Sequence, residues 1–149
     1  MNGMKSKNVK KQGINKKTAG KMVPKAQAEP QEEIEEYLYM LPVDVTVQDL
    51  KPVIQADEEK KDLWKELDLM EVKLSHDSLI FENFMDCFDS ASDQTFLKEN
   101  GVKKVYAFSY QAQDRSAVAQ ALKDIHAVFG GFIASDTEDL KPIYQPEDF

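Results

Sequence analysis

Hydrophobic positions along this chain change period several times, and each change marks an element. Residues 102–110 (VKKVYAFSY) alternate, with Tyr106, Phe108 and Tyr110 on one side and Val105 and Ala107 on the other. Both sides are apolar, which predicts a strand in the centre of a sheet. Val118, Ala121, Leu122, Ile125 and Phe129 then recur every three or four residues and predict a helix over 115–129. Asp114 is its cap, and Gly130-Gly131 its stop. Upstream, residues 37–45 (YLYMLPVDV) are rich in aromatic and branched side chains and read as a strand, which Pro42 limits to an edge or ends early. Thr46 is an N-cap with Asp49 in the capping-box position, so a short helix over 49–55 follows, interrupted near Pro52. A second helix over 57–67 carries Leu63, Trp64 and Leu67 on one face and Asp57, Glu58 and Glu59 in its first turn. Residues 69–74 (LMEVKL) alternate as a strand. Residues 132–134 and 140–144 give two short ones.

The segment between is less regular. Residues 77–88 fit either a short buried helix or an irregular covering segment; 89–93 are a loop; 94–99 make one helical turn closed by Asn100-Gly101. The order from residue 37 is therefore strand, helix, strand, insertion, strand, helix, strand. That order belongs to an α+β class with a split βαβ, ferredoxin-like sheet, two helices on one face and an insertion of residues 75–101 between strands 2 and 3. The insertion is apolar enough to cover the face that carries Tyr106 and Phe108, so both rings are expected to be buried.

Charge divides the chain in two. Of 149 residues, the first 28 hold eight lysines and no acid, a charge of +8. The remainder holds 11 Lys/Arg against all 27 Asp/Glu, a charge of −16. Residues 1–30 read as a disordered basic tail, because such a segment buries too little apolar surface to offset its ordering entropy. Residues 31–149 read as a single α+β domain. Met4 and Met22 are alternative start positions within the tail. One cysteine, Cys87, excludes an intramolecular disulfide and any zinc site with two thiolates. No apolar run approaches the roughly 20 residues of a membrane span, and the N-terminus lacks a secretory apolar stretch, so the expected location is the cytoplasm.

Candidate chemistry is sparse. Cys87, His126 and an acid such as Asp124 are the residue types of a thiol catalytic set, but Cys87 between Met85 and Phe88 reads better as an inert thiol. Asp86, Asp89 and Asp93, with His76-Asp77, are oxygen-rich, yet they lack the alternation and central glycine of a calcium loop. Asp136, Glu138 and Asp139 are three neighbours in one loop, not an acid–base pair in opposed environments. No phosphate-cradling glycine loop occurs. The expectation is a protein that is not an enzyme and needs no cofactor or metal. It meets a basic protein partner through an acidic face built from Asp86, Asp89, Asp93, Asp136, Glu138 and Asp139.

Two family resemblances bear on that expectation. The C-terminal half has a helix ending in Phe129-Gly130-Gly131, a short strand, the acidic turn Asp136-Thr137-Glu138-Asp139 and Pro142-Ile143-Tyr144. It loosely resembles small acidic bacterial immunity proteins of toxin–immunity systems, which implies an inhibitor that binds a toxin domain. The stretch from Leu41 to Leu50 (L-P-x-D-V-T-x-x-D-L) and Lys104-Val105-Tyr106-Ala107-Phe108 resemble parts of RNA-recognition motifs. That likeness implies an RNA-binding alternative with Tyr37, Tyr106 and Phe108 as stacking residues and the lysine-rich tail on the phosphates. A body at −16 repels phosphate, which ranks the acidic protein-binding surface above RNA binding; a small regulatory domain of unknown ligand is the other alternative.

Overall fold

Alternation in the strands builds a two-sided core. A computed structural model describes residues 33–149; the basic tail read from the sequence lies outside them. Strand β1 is Ile34–Leu41, and helix α1 is Val47–Leu50, continued by a 3-10 turn over Lys51–Val53. Next come β2 (Lys61–Trp64), β3 (Leu69–Lys73) and β4 (Ser78–Asn83). Helix α2 (Ala91–Glu99), β5 (Lys104–Gln111), helix α3 (Arg115–Phe129), β6 (Phe132–Ser135) and β7 (Ile143–Tyr144) complete the chain. The strands form one seven-stranded sheet in the order β2-β3-β4-β5-β1-β6-β7, antiparallel throughout. The class is α+β, but the sheet is larger than the four strands expected.

One side of the sheet buries Tyr39, Leu41, Met70, Val72, Leu79, Phe81, Tyr106, Phe108 and Tyr110. Val47 and Leu50 of α1 and the predicted stripe of α3 (Val118, Ala121, Leu122, Ile125) close over it. The opposite side buries Leu38, Met40, Val105 and Ala134 beneath Phe88, Leu97 and Leu140. The insertion therefore covers the Val105 side, and the helices bury Tyr106 and Phe108. The expectation that these rings are buried holds; the element assigned to cover them does not.

Three local expectations change. The helix read over 57–67 is a 3-10 turn (Glu58–Lys60) followed by the β2–β3 hairpin. Lys61 takes a core position in that hairpin, which hides the alternation. Its ammonium is buried and donates to the carbonyls of Lys51 and Ile54, each at 2.9 Å, with Glu58 at 2.8 Å. Asp68, left-handed at φ 50°, makes the turn. Second, the ambiguous segment contains β4, which enters the sheet between β3 and β5, and α2 begins earlier than expected, at Ala91 behind the Ser90 cap. Third, Asp114 does precede α3, but its carboxylate turns away from the helix to the 76–77 turn. The capping box holds: the Asp49 carboxylate accepts from the Thr46 amide at 2.9 Å.

Candidate acidic docking face

The site begins with the alternation of β4. Leu79 and Phe81 point into the helix-covered core, so Ile80 and Glu82 point to the other side of the sheet. Register extends this into two rows. One runs Glu36, Ser109, Ile80, Glu71, Asp62 from β1 to β2; the next runs Ala107, Glu82, Leu69, Trp64. The Phe84–Phe88 segment and α2 cover only the part of this side above β1, β5 and β6. Beyond their edge the sheet is open. Ile80 is 36% exposed and Trp64 42%, an isoleucine and an indole lying among carboxylates.

Carboxylates from distant segments converge at the border of that opening. The Cys87 thiol is exposed on the covering segment. Its pKa is pushed up, first by burial of part of its surface and then by the negative charges of Asp136, Asp86, Glu82 and Asp89. Those four acids share one electrostatic neighbourhood although they come from the end of β4, the covering segment and the turn after β6. A cation arriving there meets the summed field of several negative charges, which strengthens the attraction.

Asp86 and Asp89 are exposed as expected, and Asp136, exposed in the turn after β6, acts on the same thiol as they do. Asp93 is half-buried in the first turn of α2, where its amide donates to Ser90 Oγ at 3.1 Å and its charge suits the helix dipole. Glu138 is exposed in its turn. Asp139 is engaged in that turn: it accepts from the Lys141 amide at 3.1 Å and from Thr137 Oγ1 at 3.0 Å, which hold its carboxyl below the usual range. Glu82, Glu71, Ile80 and Trp64 were not among the residues read from the sequence. The signal for Ile80 and Glu82 was the alternation of SLIFEN over 78–83, and for Glu71 that of LMEVK over 69–73, whereas Trp64 was read into a helix.

The other candidates separate. Cys87 lies on the α2 side of the sheet, whereas His126 and Asp124 ride on α3 on the opposite side, so the thiol set is not assembled. Asp124 accepts from the Gln55 amide at 2.9 Å and from Gln120 Nε2 at 3.0 Å. His76 meets Asp114, not the Asp86–Asp93 segment. Among the described residues, no three His, Cys, Asp or Glu side chains are grouped to hold a metal ion. No helix among them is long and apolar enough to cross a membrane. Tyr106 and Phe108 are fully buried, and half-buried Tyr37 packs edge-on against Tyr144 and Phe149, so the three rings do not form an open stacking platform. No family model matches the chain, and neither the curated proteins nor the solved structures contain a match.

Proposed function

We propose that this protein acts without catalysis, by binding a basic protein surface through the open acidic side of its sheet, in the manner of an immunity-type inhibitor. The observation that carries the reading is the convergence of Glu82, Asp86, Asp89 and Asp136 around Cys87, beside the exposed Ile80 and Trp64. Apolar anchors in a mostly acidic surround, where exposed Lys73 pairs with Asp62 at 3.8 Å, suit recognition of a basic active site: the excess negative charge steers encounter, and the indole and isoleucine supply desolvated contact. The fold reading deepens in the same direction. The central strands β4-β5-β1-β6 fit a split βαβ unit, with α1 in the first crossover and α3 in the second, extended at its two edges by β2-β3 and β7.

The test starts by capturing the partner from cells that make the protein and purifying it. Its affinity is then titrated against the wild type and against a Glu82→Lys, Asp86→Lys, Asp89→Lys variant at two salt concentrations. The expected result is a loss of at least about tenfold in affinity at low salt, corresponding to about 1.4 kcal/mol, with the wild-type affinity itself falling as salt rises. A folded variant that binds with unchanged affinity overturns the assignment of the face. A captured partner with no basic surface overturns the class of partner.

A further inference from the structure

The described chain begins beside the acidic face, and the residues that precede it carry the opposite charge. Ile34 opens β1, and two residues later Glu36 starts the row Glu36, Ser109, Ile80, Glu71, Asp62. The eight lysines Lys5, Lys7, Lys10, Lys11, Lys16, Lys17, Lys21 and Lys25 lie just upstream, with no acid among them. We propose that this lysine segment docks on the open acidic side of its own sheet, as an internal ligand that a basic partner must displace.

Geometry permits the reach. From β1 to β2 is four strand spacings, about 19 Å. The eight residue steps from Lys25 to Glu33 span up to about 26 Å when extended. Lysines farther upstream therefore reach every carboxylate of both rows, as well as Asp86 and Asp89. Chemistry favours this occupant over a second copy of the same face, because two surfaces of one sign repel. The exposed carboxylates of Glu36 and Glu82 also suit lysine: an ammonium on a long apolar stem keeps its charge at a carboxylate while its methylenes lie against Ile80 and Trp64. Tethering raises the effective concentration of the segment to the millimolar range, so contacts that are individually weak are occupied at low salt. The consequence is regulatory: the internal ligand excludes weakly basic proteins and yields to a partner whose cationic surface is denser. The inference uses the charge of the face and does not rest on the identity of a foreign partner.

The experiment is paramagnetic relaxation in the full-length chain. A spin label is attached at Gly13→Cys, the middle of the lysine run, in a Cys87→Ser background; Cys87 is exposed, and serine fits its place. The backbone amides of Glu71, Ile80 and Glu82 and the Trp64 indole report on the acidic face. The amides of Lys123 and Val128 on α3 report on the opposite side. The expected result is broadening of the first set alone at low ionic strength. It is relieved at about 1 M salt, where the screening length is about 3 Å, and by Lys→Gln at all eight positions. Absence of broadening, equal broadening on both sides, or broadening that survives both salt and Lys→Gln overturns the proposal. Any of these leaves the partner reading standing, because that reading is decided separately by charge reversal on the face.

Discussion

Lys104 Nζ lies 2.7 Å from Asp68 Oδ2, and both groups are largely shielded from water. Asp68 also accepts from Tyr106 Oη at 2.7 Å, from the Val47 amide at 2.9 Å and from Asn83 Nδ2 at 3.0 Å. One carboxylate thereby fastens the β2–β3 turn to β4, β5 and the start of α1. Burial opposes its ionisation, but the bonds from Lys104, Tyr106 and Val47 and the charge of Lys104 outweigh this and hold it below the usual carboxylate range. Asp68→Asn leaves the Lys104 ammonium without its counter-charge and is expected to destabilise the fold by about 3 kcal/mol, read by urea denaturation at neutral pH. A loss below about 1 kcal/mol would mean that water replaces the carboxylate. Asp68→Ala, which also empties the volume, is expected to cost more.

Burial of the strand β5 aromatics turns an apparent recognition motif into core. Phe108 packs between Tyr37, Phe81, Tyr110 and Phe149 at centroid distances of 5.7 to 6.1 Å. Phe108→Ala is therefore expected to lower stability by about 3–5 kcal/mol, measured by thermal or chemical denaturation. An exposed stacking ring, by contrast, gives up only base contacts worth about 1–3 kcal/mol and leaves stability nearly unchanged. A folded Phe108→Ala protein with wild-type stability would contradict the packing described.

What sequence revealed and what it concealed follow one physical rule. Helix α3 and strand β5 were legible because the buried stripe of the helix is apolar throughout and the 105–110 part of the strand keeps its apolar alternation, although the strand's two ends bury Lys104 and Gln111. The β2–β3 hairpin was not, because a lysine occupies a core position and its ammonium is satisfied by carbonyls from a separate turn. No local pattern encodes that contact. The acidic face was legible in half. Glu82, Asp86 and Asp89 fall within eight residues of sequence, but Asp136 joins their field around Cys87 only through the turn after β6. Tyr106 and Phe108 were rightly expected inside, yet which element covers them is set by handedness and layering that alternation alone does not specify.

Two glycines with positive φ separate strain from crowding. Gly131, at φ +101°, follows α3 and enters β6. A Cβ there would lie 2.3 Å from the Met40 carbonyl oxygen and 2.8 Å from the Tyr39 ring. The same ring is held by its hydroxyl, which donates to the Gly130 carbonyl at 2.8 Å. Gly131→Ala must push β1 and β6 apart and is expected to cost more than the roughly 1–3 kcal/mol of backbone strain alone, to the point of preventing folding at moderate temperature. Gly101, at φ +64°, ends α2 with nothing near the added Cβ. Gly101→Ala should cost about 1 kcal/mol, from the backbone alone. Melting temperatures of the two variants decide: equal shifts would refute the crowding at Gly131.

Asp114 provides the pH test. Its carboxylate is buried and lies 3.0 Å from His76 Nδ1, while it accepts from the amides of His76 at 3.2 Å and Asp77 at 3.1 Å. Burial opposes the charge, but the bonds from the His76 ring and the two amides prevail and hold the carboxyl below its usual range. A lowered native value fixes the sign: the unfolded chain takes up the proton first as acid is added. The stability contributed by ionised Asp114 is therefore complete above the unfolded value of about 3.9 and is lost as pH falls below it through the native value. Asp114→Asn cannot ionise and places an amide where three donors converge. It should lower stability at pH 7 by about 2 kcal/mol and flatten the acid limb of the stability curve. Denaturant titrations of both proteins between neutral pH and acid check this. Parallel acid limbs would show that other carboxylates carry the pH dependence and that the Asp114 tie to the 76–77 turn contributes little.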